Sequence, residues 1–326
     1  MAKITVLGAG GWGMALSLLA HDNGNDVAIW SPFEAEVNAL LEKHTNERLL
    51  KDIYLPDNIK ITTDLNCAEN SDITIIAVPS LAVRSTAQKL SGIKSTGIIV
   101  NVAKGFEEGT LLCLSEVLEQ ELPSSEIVVL TGPSHAEEVA RKQPTSVAAV
   151  SKSETAAKTV QSIMSGNNMR IYTNDDIIGA ELGGALKNVI AICVGFCNGL
   201  NFGDNARAAL ITRGLAEMTR LGVRMGAKAD TFSGLTGIGD LVVTCMSVHS
   251  RNNRFGTLVG GGMAVDEALK TVGTVEGYYA AKNAYKLCQK FGIETPIITE
   301  CYNVLYNGKN VKDVVIELMN RPLHHE

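Results

Sequence analysis

The chain has 326 residues, a hydrophobic fraction of 45%, a charged fraction of 20% and a formal net charge of −6. This length exceeds one ordinary hydrophobic core and predicts two domains, and the balanced composition excludes a disordered or fibrous chain. An acidic chain without a dense stripe of lysine and arginine is a poor candidate for binding nucleic acid or an anionic membrane.

The chain also lacks the usual signals for secretion, membrane insertion and metal binding. Met1-Ala2-Lys3 runs directly into a strand-like segment, so no signal peptide is predicted. The longest uninterrupted apolar run, residues 189–197, is far shorter than the ~20 residues of a membrane span. The seven cysteines form no CxxC pair, and we interpret them as reduced, mostly buried thiols. We therefore expect a cytoplasmic protein with no membrane span and no metal.

Strand-like and helical segments alternate over the first half of the chain. The predicted strands are 3–7, 27–30, 59–62, 73–78, 97–102, 127–130, 146–150 and 170–172. The predicted helices between several of them are 14–21, 34–43, 82–90, 111–119 and 155–164. This alternation predicts an α/β fold, with a largely parallel, doubly wound sheet of the Rossmann type that helices cover on both faces.

The pattern changes near residue 178, where small residues become common and β-branched runs become rare. The helical patterns that follow cover 179–199, 206–225, 253–259, 265–272, 277–291, 297–306 and 311–318. We therefore expect a dinucleotide-binding domain over residues 1–177 and a second, all-helical C-terminal domain over residues 178–326, which holds substrate and catalytic groups.

A G-x-G-x-x-G motif at residues 8–13 follows the first predicted strand and opens the first predicted helix. That context is typical of a dinucleotide-binding fingerprint. Gly8 permits the tight turn, Gly10 lets the backbone approach a pyrophosphate, and Gly13 lets helix and strand pack closely. The free N–H groups at the helix start then face the phosphates. A glycine-rich turn without a ligand is the alternative interpretation.

Residues after the second predicted strand bear on coenzyme choice. A carboxylate there favours NAD by bonding the ribose hydroxyls, and a cation favours NADP by pairing with its 2′-phosphate. This chain has Trp30, Ser31 and Pro32, and we interpret Glu34 as a helix residue that complements the helix dipole. Trp30 could pack against adenine, and Ser31 could bond a hydroxyl or a phosphate. We predict use of both NAD and NADP, with a modest lean to NADPH because nothing repels it.

Two lysines are candidate catalytic groups. Lys104 follows the strand predicted at 97–102, and ligands of such sheets lie at the carboxyl ends of strands. Lys187 lies within a predicted helix, with small side chains at its helical neighbours. Partial burial there would lower its pKa towards a value useful for proton transfer. A lysine that reaches solvent from an ordinary helix is the alternative interpretation.

Three further segments carry polar groups suited to a substrate. Asp240 and Thr244 are four residues apart and share a face if helical, where a carboxylate could hold a lysine ammonium and a hydroxyl could bond a substrate oxygen. The turn at 250–252 contains Arg251, whose planar guanidinium suits a phosphate, although a solvated loop is the alternative. Residues 132–134 open a short helix with free amides after the strand predicted at 127–130.

Taken together and in this order, these motifs closely resemble the bacterial NAD(P)-dependent glycerol-3-phosphate dehydrogenase family. The matching segments span nearly the full length: 8–13, 77–80, 101–105, 132–134, 186–188, 239–241, 250–252 and 275–277. The resemblance implies that dihydroxyacetone phosphate is reduced by NADH or NADPH to sn-glycerol 3-phosphate, a phospholipid precursor. It also implies a cytoplasmic homodimer.

The resemblance further implies roles for individual residues. Lys187 would transfer the proton, positioned with Asp240, while Lys104 would polarise the carbonyl and touch the coenzyme, and Thr244 would contact the substrate. The substrate would lie against Gly132, Ser134, Arg251 and Asn252. The coenzyme would lie against the glycine motif, Gly11, Trp12, Ala136, Ser250, Arg251 and Glu276. Many members of the family carry an arginine after the second strand, where this chain has Ser31 and Pro32.

Two other functions remain open at this point. A β-hydroxyacid dehydrogenase of the related two-domain type would reduce a carboxylate substrate, and Lys104 together with the 250–252 turn argues against it. A non-catalytic NAD(P)H sensor would not need both Lys187 and Asp240.

Overall fold

The computed structural model describes residues 1–93 and 97–322. It contains two compact units, Met1–Glu181 and Leu182–Glu326, and the division falls within a long helix that begins at Ile177.

The N-terminal unit is built on an eight-stranded sheet of order β3-β2-β1-β4-β5-β6-β7-β8. Neighbouring strands are parallel except β6 and β7, which pair antiparallel. The predicted Rossmann-type sheet is therefore confirmed, with one antiparallel pair that alternation alone could not reveal. The strands are β1 (Lys3–Leu7), β2 (Asp26–Trp30), β3 (Lys60–Thr62), β4 (Ile73–Ile76), β5 (Ile98–Asn101), β6 (Ile127–Thr131), β7 (Thr145–Val150) and β8 (Met169–Asn174).

In the part of this unit that the structure describes, six helices connect the strands, together with short 3₁₀ turns at Leu65–Ala68 and Ser80–Ala82. The helices are α1 (Gly11–Asp22), α2 (Glu34–Lys43), α3 (Val83–Ser91), α4 (Leu114–Glu121), α5 (Ala136–Ala140) and α6 (Glu154–Met164). Helix α4 begins later than predicted from its apolar pattern, because Phe106 and Cys113 form an antiparallel bridge and Leu111 adopts a φ of 63°. The chain must complete this turn before helical hydrogen bonds can start.

Side-chain alternation along the strands divides the apolar residues between two cores on opposite faces of the sheet. In β1, Ile4 and Val6 belong to one core and Leu7 to the other. Trp30 lies in the second core, is only 3% exposed, and donates its indole N–H to the carbonyl of Thr63 at 2.9 Å. The suggestion that Trp30 packs against adenine was therefore wrong, because its ring is part of the core.

The C-terminal unit is all helical over its described residues, as predicted. It begins within α7 (Ile177–Gly199) and continues through a π-helical turn at Leu235–Gly239. The other helices are α8 (Asp204–Arg224), α9 (Ala229–Phe232), α10 (Asp240–Met246), α11 (Arg251–Gly260), α12 (Val265–Val272), α13 (Glu276–Phe291), α14 (Pro296–Asn307) and α15 (Val311–Met319).

Helix α7 is long and apolar enough, by length and composition alone, to cross a membrane, with a mean hydropathy of 1.7. A bent pair, Ala229–Met246 with Arg251–Gly260, passes the same test only when taken as one segment. However, 94% of the most apolar window of α7 is buried inside the protein. An all-round apolar helix in that environment is typical of a protein core, so the test gives only weak evidence for a span.

A carboxyl group is buried at the start of α7. The Glu181 carboxylate accepts the backbone N–H of Ser115 at 2.9 Å and the hydroxyl of the same residue, and Glu181 is 6% exposed. Loss of solvation raises the pKa of Glu181 to about 7, although the two hydrogen bonds from Ser115 partly offset this effect. In the unfolded chain this carboxyl has the ordinary value near 4.5.

We expect the free energy of unfolding to fall as pH rises from 5 to 8. A raised folded-state pKa means that the native protein binds the proton more tightly, so this stabilisation is complete below pH 4.5 and is lost through pH 7. Glu181→Gln removes the titration, and the amide oxygen can still accept the Ser115 N–H while the Nε2 amide can donate to the Ser115 hydroxyl oxygen. Urea unfolding should show the variant more stable than the native chain at pH 8, by up to about 3 kcal/mol.

The exposed Glu69 supplies a control, since Glu69→Gln makes the same chemical change in solvent. If Glu181→Gln keeps the pH slope of the native chain, the buried carboxyl is not the group that titrates.

Candidate active site

The glycine motif forms a tight connection between β1 and α1. Gly8 has a φ of +129°, and a Cβ there would lie 2.6 Å from the carbonyl oxygen of Ala77. A Cβ on Gly13 would lie 2.0 Å from the carbonyl oxygen of Gly8. Only glycine fits at either position, because a side chain would collide with backbone rather than with a movable group. These two residues let α1 start directly above the end of β1.

The start of α1 offers unoccupied donor groups to an anion. The first helical hydrogen bond runs from the Met14 N–H to the Gly10 carbonyl at 2.9 Å, so the amides of Gly11, Trp12 and Gly13 precede it. No side chain caps this end of the helix, and a Cβ on Gly10 would have no atom within 4 Å. Exposed amides and open space at a helix start fit a pyrophosphate.

Other predicted coenzyme residues surround this helix start. Trp12 and Ala136 are half-buried and pack against the core below α1. The Cβ of Ala136 lies 3.8 Å from the position of a Cβ on Gly11, so the beginning of α5 borders the first turn of α1. The structure thus brings Gly11, Trp12 and Ala136 together within the N-terminal unit.

The ends of β5 and β6 bring together three of the predicted substrate residues. The Gly132 carbonyl accepts the Ser134 hydroxyl at 2.9 Å and the Lys104 Nζ at 3.4 Å. Lys104 follows a turn in which the Asn101 side chain accepts the N–H of Ala103 at 3.1 Å. Since β5 and β6 are parallel neighbours, their loops emerge at the same sheet edge. A cation and a hydroxyl are therefore held side by side.

The end of β2 differs from the sequence interpretation. Ser31 is only 1% exposed, and its hydroxyl donates to the Glu36 carboxylate at 2.6 Å. We expected no carboxylate at this position, but α2 turns Glu36 back to the strand end. The missed signal was the acid in the first turn of α2, which could place a carboxylate over Ser31 if its side chain folds towards the strand.

In the C-terminal unit, three predicted residues meet in a buried cluster. The Lys187 Nζ lies 2.5 Å from a carboxylate oxygen of Asp240 and donates to the Thr244 hydroxyl oxygen at 2.7 Å. The Thr244 hydroxyl in turn donates to the Asp240 carbonyl at 2.7 Å. Lys187 is 6% exposed and Asp240 is 1% exposed. The cluster therefore holds a lysine ammonium in fixed geometry beside its counter-charge.

Close backbone packing makes this cluster possible. A Cβ on Gly183 would lie 2.1 Å from the Thr236 carbonyl oxygen, so only glycine lets the π-helical turn rest against α7. That turn ends where Asp240 begins α10, and Lys187 lies one helical turn after Gly183. A π-helical turn is often found at a functional site. Here it brings the carboxylate to the lysine.

A chain of amide hydrogen bonds continues from the next residue of α7. The Asn252 side chain donates to the Asn188 side-chain oxygen at 2.9 Å and accepts the Gly277 N–H at 2.9 Å. Asn252 therefore links α7, α11 and the start of α13, where Glu276 lies. Sequence reasoning did not assign a role to Asn188, although the family motif at 186–188 contains it.

Ser250 and Arg251 have different environments at the start of α11. The buried Ser250 hydroxyl accepts the Asn253 N–H at 3.2 Å and caps the helix. Arg251, the next residue, is exposed. Its guanidinium can therefore reach a soluble anion, whereas Ser250 mainly fixes the helix start. Glu276, the first residue of α13, is half-buried.

Two family models divide the chain between them. The model for the N-terminus of NAD-dependent glycerol-3-phosphate dehydrogenase matches residues 3–157, and the model for its C-terminus matches residues 176–316. The chain belongs to the NAD-dependent glycerol-3-phosphate dehydrogenase family. It is thus an NAD(P)-dependent oxidoreductase, and the predicted family is confirmed.

Individual members of the glycerol-3-phosphate dehydrogenase family match over nearly their full length. Glycerol-3-phosphate dehydrogenase [NAD(P)+] of Agathobacter rectalis is 49% identical over 98% of this chain and 96% of that protein. The protein of the same name from Bacillus subtilis is 49% identical over 100% of this chain and 96% of its own length.

A crystal structure of glycerol-3-phosphate dehydrogenase from Coxiella burnetii superimposes with a TM-score of 0.94. It is 38% identical and covers 98% of this chain and 99% of its own. A structure of D-mandelate dehydrogenase, 15% identical with a TM-score of 0.66, shares the fold alone. Over residues 1–93 and 97–322, no group of three or more histidine, cysteine, aspartate or glutamate residues could hold a metal ion.

Proposed function

We propose that this chain catalyses the reversible reduction of dihydroxyacetone phosphate to sn-glycerol 3-phosphate with NADH or NADPH. The buried contact of Lys187 with Asp240 and Thr244 is the observation that supports this most strongly. In this proposal residues 1–177 form the coenzyme-binding domain, which also carries Lys104, Gly132 and Ser134, and residues 178–326 carry the proton donor Lys187 and further substrate-binding groups.

Reduction of a ketone requires a hydride on carbon and a proton on oxygen. The nicotinamide coenzyme, when bound, supplies the hydride. The Lys187 ammonium donates a proton to the carbonyl oxygen and accepts it back in the reverse direction. The Asp240 carboxylate accepts a hydrogen bond from the Lys187 Nζ, and Thr244 accepts from the same Nζ while its hydroxyl donates to the Asp240 carbonyl, so the two residues fix the direction of Nζ. Thr244 thus acts on the lysine in addition to any contact with substrate.

The remaining predicted residues bind and orient the substrate. Lys104 is a cation at the carboxyl end of β5, suited to polarising a carbonyl or pairing with a phosphate. Ser134 and the backbone at Gly132 add hydrogen-bonding groups beside it. Arg251 offers a bidentate guanidinium, and Asn252 has a second amide hydrogen besides the one given to Asn188. Each of these groups is of a kind that binds the carbonyl, hydroxyl or phosphate of a small phosphorylated ketone.

An assay of coenzyme oxidation tests the proposal. The purified chain should oxidise NADH or NADPH with dihydroxyacetone phosphate and should show little activity with ketones derived from hydroxyacids. Preference for a carboxylate ketone would favour a β-hydroxyacid dehydrogenase, and coenzyme binding without turnover would favour a sensor. Either result would contradict the proposed substrate.

Arg251→Ala should mainly weaken use of the phosphorylated substrate. A hydrogen bond to a charged group contributes about 1.5–3 kcal/mol, so kcat/KM for dihydroxyacetone phosphate should fall by roughly 10- to 150-fold. The exposed Arg254, on the same helix, provides the matched control, and Arg254→Ala should change kcat/KM little. A value for Arg251→Ala within about twofold of the native enzyme would exclude Arg251 as the phosphate anchor.

The family resemblance supports three broader proposals. The enzyme acts in the cytoplasm, it assembles as a homodimer, and its product enters phospholipid synthesis. Sedimentation of the purified protein measures the assembly directly, and a monomer at micromolar concentration would contradict the second proposal.

A further inference from the structure

The Glu36 carboxylate lies at the end of β2, the place where dinucleotide-binding folds distinguish NAD from NADP. Ser31 directly follows β2, and its N–H donates to the Thr62 carbonyl at the end of β3 at 3.2 Å. Its hydroxyl donates to Glu36 Oε2 at 2.6 Å. The carboxylate is thereby tied to the carboxyl edge of the sheet, one strand away from the glycine motif that follows β1.

Local backbone geometry fixes this arrangement. Phe33 is the N-cap of α2, its N–H donates to the Ser31 hydroxyl oxygen at 3.3 Å, and its carbonyl accepts the Glu36 N–H at 3.0 Å. The Ser31 oxygen therefore receives one bond and gives another, which orients its proton towards Glu36. Glu36 itself is exposed, so its second carboxylate oxygen can reach a ligand.

The position matches what recognition of the adenosine ribose requires. In dinucleotide-binding folds an acidic residue about 20 residues after the glycine motif accepts hydrogen bonds from the ribose hydroxyls. Glu36 has about that separation from the motif, and although it lies in the first turn of α2, its carboxylate accepts the hydroxyl of Ser31, which directly follows β2. A 2′-phosphate in the same place would put two anions side by side, which is unfavourable.

We propose that Glu36, positioned by Ser31, is the specificity-determining residue that makes this enzyme prefer NADH over NADPH. The inference rests on the proposed dehydrogenase function and reverses the modest lean to NADPH drawn from the sequence. In this arrangement Ser31 is a positioning residue: its buried hydroxyl is committed to Glu36, and the carboxylate makes the contact with the ribose.

The ratio of kcat/KM for NADH to that for NADPH, measured with dihydroxyacetone phosphate at one ionic strength, tests this directly. We expect the native enzyme to favour NADH by about tenfold or more. Glu36→Gln keeps an oxygen that accepts from Ser31 but removes the charge, so the ratio should fall by about tenfold, chiefly through a lower KM for NADPH with little change in kcat. Ser31→Ala should lower the ratio less, since the carboxylate remains but is no longer held.

Glu34→Gln is the matched control, because Glu34 is an exposed acid in the same first turn of α2. It should leave the ratio within about twofold of the native value. A native preference for NADPH, or a ratio that Glu36→Gln leaves unchanged, would overturn the inference.

Fluorescence titration of NADH and NADPH without substrate separates this inference from the proposed reaction. If dihydroxyacetone phosphate is not reduced, yet Glu36→Gln still equalises the two dissociation constants, the substrate assignment fails and the role of Glu36 stands. If turnover is normal and the dissociation constants of both coenzymes are unaffected by Glu36→Gln, the reaction stands and the role of Glu36 fails.

Discussion

Lys187→Ala should lower kcat by about 10²- to 10⁴-fold, the usual effect of losing a positioned general acid. The Lys187 Nζ is held between the Asp240 carboxylate and the Thr244 hydroxyl, and a buried ammonium in this geometry is the proton donor that the ketone oxygen requires. Coenzyme binding should remain close to native, because the glycine motif lies in the N-terminal unit. Stopped-flow measurement of a single turnover and titration with NADH give the two quantities separately.

Loss of structure could imitate this effect, since Lys187→Ala leaves the Asp240 carboxylate buried without its ammonium. The variant should therefore also be tested for folding by near-UV circular dichroism, and Lys187→Met combined with Asp240→Leu removes both charges together. The double variant should fold and bind NADH but remain inactive. Lys286→Ala, at an exposed position on α13, is the control for loss of a lysine. A folded Lys187→Ala enzyme with near-normal kcat would exclude the proton-transfer role.

Asp240→Ala should reduce both stability and activity. Removing one member of a buried ion pair costs about 3–5 kcal/mol, because the partner charge stays in a poorly solvated site. Here the remaining charge is Lys187, which is 6% exposed. The lysine also loses the acceptor that fixes its direction, so kcat should fall by roughly 10²-fold or more. Urea unfolding and steady-state kinetics measure the two effects.

Two further variants separate the loss of the Asp240 charge from other causes of lower stability in Asp240→Ala. Thr244→Val removes only the neutral partner of Lys187, so it should cost less stability than Asp240→Ala, about 1–3 kcal/mol. The Lys187→Met and Asp240→Leu double variant should recover most of the stability that Asp240→Ala loses, without recovering activity. If Asp240→Ala unfolds at the same urea concentration as the native protein, the ion pair of Lys187 and Asp240 does not stabilise the fold as proposed.

Local sequence patterns were sufficient to predict a mostly parallel sheet and the glycine motif. Alternating short β-branched runs and helical patterns predict a parallel sheet because each crossover needs a helix of that length. Gly8 and Gly13 are recognisable because their steric requirement arises from their own turn and its adjacent strands. Local patterns gave the wrong start for α4, because the bridge between Phe106 and Cys113 makes the helix begin at Leu114 and not at residue 111. The antiparallel pairing of β6 with β7 depends on long-range packing and leaves no local signature.

The candidate site depended more strongly on tertiary structure. Sequence alone left Lys187 equally compatible with an ordinary surface lysine, since its partner Asp240 is 53 residues away. Only the packing of the π-helical turn against Gly183 brings the two charges together in a buried place. Glu36 is five residues from Ser31, yet its role was also missed, because a side chain in the first turn of a helix can point to solvent or fold back. The hydrogen bond to Ser31 selects the second orientation, and with it a carboxylate at the end of β2.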